Sequence, residues 1–416
     1  MKKLFIVTLL FVFGSESYGQ LKLDAEIRPL GEFRRGYNRM PFADEKAAAF
    51  VVQRTRLNLQ FKQDRVTSFI SFQDVRTFGE ERQKRDEPSL TLHQGWVEVQ
   101  ATENLFFRVG RQQIQYDRGH FIGRNNFNDN GQKHDLLMIK LQNEKQHLHL
   151  ATAFNQDQPQ LFGTEYDIDN YKFMQILRLY SPFNQDRGSL SVLAFADGYE
   201  NPDNSDLLYV RGNYSAFLTY DFPAFTVSLN PAAQNGKTPE GQDIAAYYLL
   251  AEFASSLANN HEYALGFEFI SGNDGENTQD EKLRVFNPTY SRGNGPNGFM
   301  DYFTNFPVHT GGAGFWDFYV KNSVNITPKV AANLDIHAFF LANNYVHANG
   351  ETIDKYLGLE PDFVLEYQFN DFTELKFVYS FMLGTESMEI VKGGDKNEWA
   401  QFSYLMLTVK PKLFGY

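Results

Sequence analysis

Arg54-Thr55-Arg56-Leu57-Asn58-Leu59-Gln60-Phe61 alternates at every step. Successive side chains of a strand point to opposite sides. Arg54, Arg56, Asn58 and Gln60 therefore share one face, and Thr55, Leu57, Leu59 and Phe61 the other. A helix would scatter the polar groups around its circumference. Leu105–Gln112 behaves in the same way, with Phe107 and Val109 opposite Arg108, Gly110 and Gln112. In Ala332–Phe340, Asn333, Asp335 and His337 alternate with Leu334 and Ile336.

About eighteen such segments follow one another, from 21–36 to 398–412. Their connections alternate between tight and long. Gln63-Asp64, Thr102-Glu103-Asn104, Thr327-Pro328 and Asn370-Asp371 are tight and carry turn-forming residues. Between them fall long stretches such as 37–47, 117–131, 200–205 and 273–312. Short turns on one rim and long loops on the other predict an all-β fold: a single transmembrane antiparallel up-and-down β-barrel of about 18 strands. Periplasmic turns are short, extracellular loops are long, and an even strand number puts both chain ends in the periplasm. A soluble sandwich or propeller would not segregate its loops by length, and no blade repeat is present.

Composition agrees. Mean hydropathy is -0.43, yet 16% of the chain is aromatic, with 40 Phe and 22 Tyr. A barrel reconciles the two, with a polar lumen, an apolar lipid face and aromatic girdles at its rims. Residues 1–19 read as a secretory signal peptide, and 20–416 as the barrel. Lys2 and Lys3 precede the ten-residue apolar run Leu4–Phe13, too short to cross a bilayer, and Ser17-Tyr18-Gly19 offers a cleavage site. Losing Lys2, Lys3 and Glu16 with that leader turns 39 basic and 51 acidic residues into 37 and 50, a net -13. Such a balance argues against a nucleic-acid partner. It suits an outer surface bridged by divalent ions to lipopolysaccharide. With no cysteine, disulfides, thiolate metal sites and a lipid anchor are excluded. The aromatic-rich end, Phe402–Val409 with Phe414 and Tyr416, is the kind of signal that barrel-assembly machinery recognises.

No nucleophile elbow and no zinc-binding helix motif is present, so neither an enzyme nor a cofactor is expected. His147 and His149 share a strand face and read as ordinary rim or lumen residues, with a metal pair as the alternative. Ser271–Asp280 is rich in Asp and Asn and reads as a solvated acidic loop, with calcium as the alternative. A pore instead needs charged groups around a narrow lumen. Arg28, Arg54, Arg56, Asp74, Arg76, Glu98 and Arg108 are the candidates on the first five strands, with Arg111 flanking and Arg118 in the loop that follows. Adjacent cations attract anions, and carboxylates such as Asp74 and Glu98 would orient the guanidinium planes. A self-neutralising network that only stabilises the barrel is the alternative. The loop Tyr116–Arg124 mixes cations, aromatics and glycines and could turn inward to narrow the pore. The 273–312 loop, rich in Gly and Asn at Ser291–Gly298, reads as a mobile lid.

Three stretches resemble the alginate-export porin family: Arg54-Thr55-Arg56-Leu57; Phe107–Gln112 followed by Tyr116-Asp117-Arg118 and Phe121-Ile122-Gly123; and Leu357–Asp362 with Glu366-Tyr367 and Tyr379-Ser380-Phe381. The resemblance implies an eighteen-stranded barrel with an arginine-lined constriction. It also implies passive passage of an anionic uronate polysaccharide or oligosaccharide. A tryptophan usual in that family after the fifth strand is replaced here by Asn125-Asn126-Phe127. A general diffusion porin without saccharide preference remains the alternative, and a loop-based enzyme or adhesin a third.

Overall fold

The computed structural model describes residues 19–415 except 86, 167, 169, 202, 259, 278, 294 and 295. The expected leader therefore lies outside the described residues but for Gly19, and Tyr416 lies outside them too. The first strands are β1 (Gln20–Arg35), β2 (Ala48–Gln63), β3 (Val66–Thr77), β4 (Thr91–Gln100), β5 (Leu105–Gln112) and β6 (His134–Gln142). Next come β7 (His147–Phe154), β8 (Phe173–Phe183), β9 (Gly188–Asn201), β10 (Asn204–Asp221), β11 (Thr226–Lys237) and β12 (Asp243–Ala258). The last are β13 (His261–Ile270), β14 (Phe315–Thr327), β15 (Val330–Leu341), β16 (Tyr356–Asn370), β17 (Thr373–Gly384), β18 (Ala400–Val409) and β19 (Lys412–Phe414). Each strand pairs antiparallel with its neighbours, and β18 closes the ring on β1, with Arg34 opposite Phe402 and Leu30 opposite Met406. Pro411 cannot donate to the ladder. It separates β18 from β19, which resumes pairing with β1 at Leu23 and Phe414. The barrel thus has eighteen strands, the last one broken.

The alternating pattern decides the two faces. Glu26 stands opposite Arg56 and Arg28 opposite Arg54. All four are buried, while Leu57 next door is 43% exposed on the outside. Closure removes every free strand edge, so the ladder satisfies the backbone where lipid cannot. Outward-facing rings gather at both ends. Phe222 stacks on Phe225 near the short turns, and Phe269–Trp316, Phe340–Tyr356 and Phe381–Trp399 meet near the long loops.

Three expectations are corrected. Segment 200–205 is no long loop: β9 extends to Asn201 and β10 begins at Asn204, and these two residues pair. The interior is only partly polar. Described residues of the 271–314 segment fold into the lumen: Phe303 packs on Phe315 and Phe339, Phe306 on Phe315, and Phe286 on Phe121 and Tyr248, while Met300, Tyr302, Leu357 and Phe402 are 0% exposed in the same core. An inserted loop needs apolar partners to offset its ordering, so the lumen face of β14–β18 carries them. The 273–312 segment is accordingly a packed plug in its described part, not a loose lid. Within it Asp280 is taken by Arg284 at 2.8 Å.

Candidate functional site

Two inward loops and the walls that hold them define the lumen. The first, 113–133, leaves β5 and crosses the interior. Tyr116 N donates to Ile122 O (3.1 Å) and Gly119 N to Tyr116 O (2.9 Å), closing a tight turn. This turn docks on the second loop. Gly123 N donates to Tyr290 O, and Arg292 N to Gly119 O, both at 2.8 Å. Gly123 is required there, because a Cβ would lie 2.6 Å from Arg292 N. Burial pushes the His120 imidazole in this turn down to about 3, which keeps it neutral beside Arg118 and Arg292.

Beyond the turn, 124–131 forms a shelf against β1 and β2. Arg28 Nη1 donates to Asn126 O (2.6 Å), and its Nη2 to Phe127 O (3.1 Å) and Asp129 Oδ1 (2.8 Å). Arg54 Nη1 donates to Asn126 O (2.9 Å), while its Nε and Nη2 grip Glu26 Oε1 at 2.8 and 2.5 Å. Arg56 Nε donates to Gln73 Oε1 (2.6 Å) and its Nη1 to Asn126 Oδ1 (3.3 Å). Guanidinium groups carry several fixed donors. Here they satisfy the carbonyls of a loop that has no ladder of its own.

A second stretch of wall, β13–β16, works with carboxylates. Glu268 (β13), Asp317 (β14), His337 (β15), Glu360 and Asp362 (β16) are buried lumen residues. Glu360 Oε1 accepts from Met300 N at 2.8 Å. Asn297 Nδ2 donates to Glu268 and, at 3.3 Å, to Asp317 Oδ2. His337 Nδ1 lies 2.8 Å from Asp317 Oδ2. None of these five was singled out as a site residue from sequence. The signal was present, because all sit on the polar face of late strands; what could not be read was the loop that covers them.

The structure puts Arg28, Arg54, Arg56, Glu98 and Arg108 on the lumen face, and Arg118 within it. Arg108 Nε bonds Glu98 Oε2 at 2.8 Å, stands over the Trp96 ring and shares Glu98 with Lys140. Arg118 spans to the far wall, reaching Glu252 Oε1 (2.5 Å) and Ser228 Oγ (2.9 Å). Asp74, Arg76 and Arg111 belong to the other face, which corrects the expectation. Asp74 pairs in register with Thr55 and shares its face with Phe72, 41% exposed; Arg76 pairs with Gln53. Arg111 shares its face with Val109, 49% exposed, and binds Asp135. Both ion pairs, Arg76–Asp74 and Arg111–Asp135, lie at the long-loop rim at 2.8 Å. On the lipid face an ion pair near the rim costs less than one at the bilayer midplane.

Two lumen cavities lie among the described residues on either side of the shelf. The upper one, about 480 Å³, lies towards the long loops between Glu32, Arg34, Tyr37, Asn125, Asn128 and Ser291. The lower one, about 570 Å³, opens towards the short turns between Glu26, Arg28, Arg54, Lys376, Tyr404 and Lys410. Phe127 lines both, so the shelf is the partition between them.

A sequence model described as alginate export matches residues 21–384. Comparison with curated proteins returns no match. Among solved structures, OccK9 (OpdG) of Pseudomonas aeruginosa superposes with a TM-score of 0.62 at 12% identity, covering 94% of this chain and 98% of that one. OccAB1 of Acinetobacter baumannii gives 0.63 at 11%, covering 95% and 97%. Pseudomonas aeruginosa OpdK, solved with vanillate, gives 0.59 at 11%, covering 94% and 99%. At these identities the likeness shows a shared barrel fold.

Proposed function

Because the chain belongs to the alginate export family, and is thereby an outer-membrane channel of a Gram-negative envelope, we propose that it passes anionic saccharides of the uronate class, passively and without chemical change. The carrying observation is the pair of cavities that meet at Phe127, with Arg34 above and Arg28, Arg54, Lys376 and Lys410 below. Cations beside a narrow, low-dielectric path raise the local anion concentration. Asn, Gln, Ser and Thr side chains in the same walls suit sugar hydroxyls. That OpdK was solved with vanillate, an aromatic carboxylate, is consistent with an anionic solute in this fold. The plug of Tyr302, Phe303 and Phe306 speaks against a wide general-diffusion pore, because it fills part of the lumen with packed side chains.

Partners follow from the same picture. The outward Arg76–Asp74 and Arg111–Asp135 pairs stand where lipopolysaccharide head groups would meet them, and the broken aromatic last strand would serve the barrel-assembly machinery.

Swelling of vesicles that contain the purified barrel tests the solute class. Uronate oligosaccharides should permeate faster than neutral oligosaccharides of equal size. Equal rates for both would contradict the proposal and favour general diffusion.

A further inference from the structure

The roof of the lower cavity is aromatic. Phe127 comes from the shelf, Phe299 from the second loop and Tyr404 from β18, and all three line this cavity. The Phe127 and Tyr404 rings lie 5.4 Å apart at 50°, and those of Phe299 and Tyr404 lie 6.3 Å apart at 60°. Three separate segments thus converge on one cluster at the partition. Phe127 and Phe299 are half-buried, so part of each ring faces open space, whereas Tyr404 is buried behind them. Charge surrounds the rings. Lys376 Nζ is 5.8 Å from the Phe299 centroid and 2.9 Å from Glu366 Oε1. Lys410 Nζ is 3.5 Å from Glu26 Oε2, and its side chain is 60% exposed. Gln368, Glu374 and Thr408 complete the wall with acceptors and donors.

We propose, building on the channel reading above, that this roof is a subsite for a single pyranose ring of an anionic saccharide. Phe127 and Phe299 stack on the ring, and Lys376 and Lys410 hold its carboxylate. The carbon-bound hydrogens on a pyranose face are apolar and slightly positive, and an aromatic face is negative, so the two pack together. Hydroxyls at the ring edge need polar partners, which Gln368, Glu374 and Thr408 supply. A carboxylate met by an ammonium gains a charge-assisted bond. The volume of about 570 Å³ lies within the usual range for small-molecule sites. Placed at the partition, the subsite would meet each sugar ring in turn, so it selects as well as binds.

Single-channel recording of the full barrel in a planar bilayer separates this subsite from the channel reading. The probes are a hexuronate trisaccharide and a neutral glucose trisaccharide. Phe127→Leu and Phe299→Leu should each shorten the residence of both sugars, by about tenfold, the equivalent of about 1.4 kcal/mol. Lys376→Gln with Lys410→Gln should shorten residence of the hexuronate alone. Open-channel current in the absence of sugar reports whether each variant has assembled, and Phe299→Leu stands in if Phe127→Leu does not. If the native channel is blocked by the hexuronate and every variant behaves alike, the subsite is wrong and the channel reading survives. If neither sugar blocks the native channel, both fall together.

Discussion

On β1 and β2 the wall donates and the loop accepts; on β13, β14 and β16 the wall accepts and the loop donates. Arg28 and Arg54 reach the carbonyls of Asn126 and Phe127. On the second stretch of wall, Glu360 takes the amide of Met300, and Glu268 and Asp317 take the side chain of Asn297. Either chemistry satisfies a backbone that has left the ladder. The loops differ in what else holds them. Residues 124–131 read Arg-Asn-Asn-Phe-Asn-Asp-Asn-Gly, with one large apolar side chain, whereas 299–306 contribute Phe299, Met300, Tyr302, Phe303 and Phe306. Polar bonds therefore carry the shelf, and apolar burial carries the plug. A lumen can be narrowed by either route, and the first sets Arg28 and Arg54 beside the path.

The largest effect should come from breaking the arginine wall. Removing one partner of a buried ion pair costs about 3–5 kcal/mol, and Arg54→Ala would strand Glu26, which it grips, together with the Asn126 carbonyl. Arg28→Ala with Arg54→Ala should release the shelf. The expected outcome is a severalfold rise in single-channel conductance with new trypsin cleavage after Arg124. Unchanged conductance would mean that the shelf stands without its arginines.

Gly123→Ala attacks the seam between the two loops. Its Cβ would meet Arg292 N at 2.6 Å, and overpacking of this kind costs about 1–3 kcal/mol. Conductance should become noisy, with a smaller mean increase than for the arginine pair. Glu360→Leu tests the acid wall. It removes the acceptor for Met300 N, worth about 1–3 kcal/mol for a buried donor left alone. Yet conductance should stay near the native value, because Tyr302, Phe303 and Phe306 keep the plug in place. An increase matching that of the arginine variant would erase the contrast between the walls. The smallest effect belongs to the outward pair. Arg111→Gln breaks an exposed bridge worth about 0–1 kcal/mol, and ion selectivity should not change. A measurable shift in selectivity would put Arg111 back in the pore.

Much of this was legible in the chain. Turn and loop lengths fixed the number of strands, and alternation placed Arg54, Arg56 and Arg108 on the lumen face. The same rule, applied two residues further, would have sent Arg111 outward with Val109, and Asp74 with Phe72. Charge made those residues look functional where parity said otherwise, because a rim beyond the hydrocarbon tolerates ion pairs on either face. The loop insertions were not legible. The contact of Gly123 with Tyr290, and that of Met300 with Glu360, join segments far apart in sequence that carry no shared periodicity. The departure from the family resemblance noted at Asn125-Asn126-Phe127 drew attention to this stretch. What the stretch builds, a shelf whose Asn126 carbonyl takes two arginines and whose Phe127 faces both cavities, needed the three-dimensional structure.

The central claim is that a narrow path beside wall cations favours anions. The reversal potential of the reconstituted channel under a potassium chloride gradient tests it most directly. The account predicts a chloride preference that weakens when Lys376 and Lys410 become Gln; a potassium preference, unmoved by those substitutions, would contradict it.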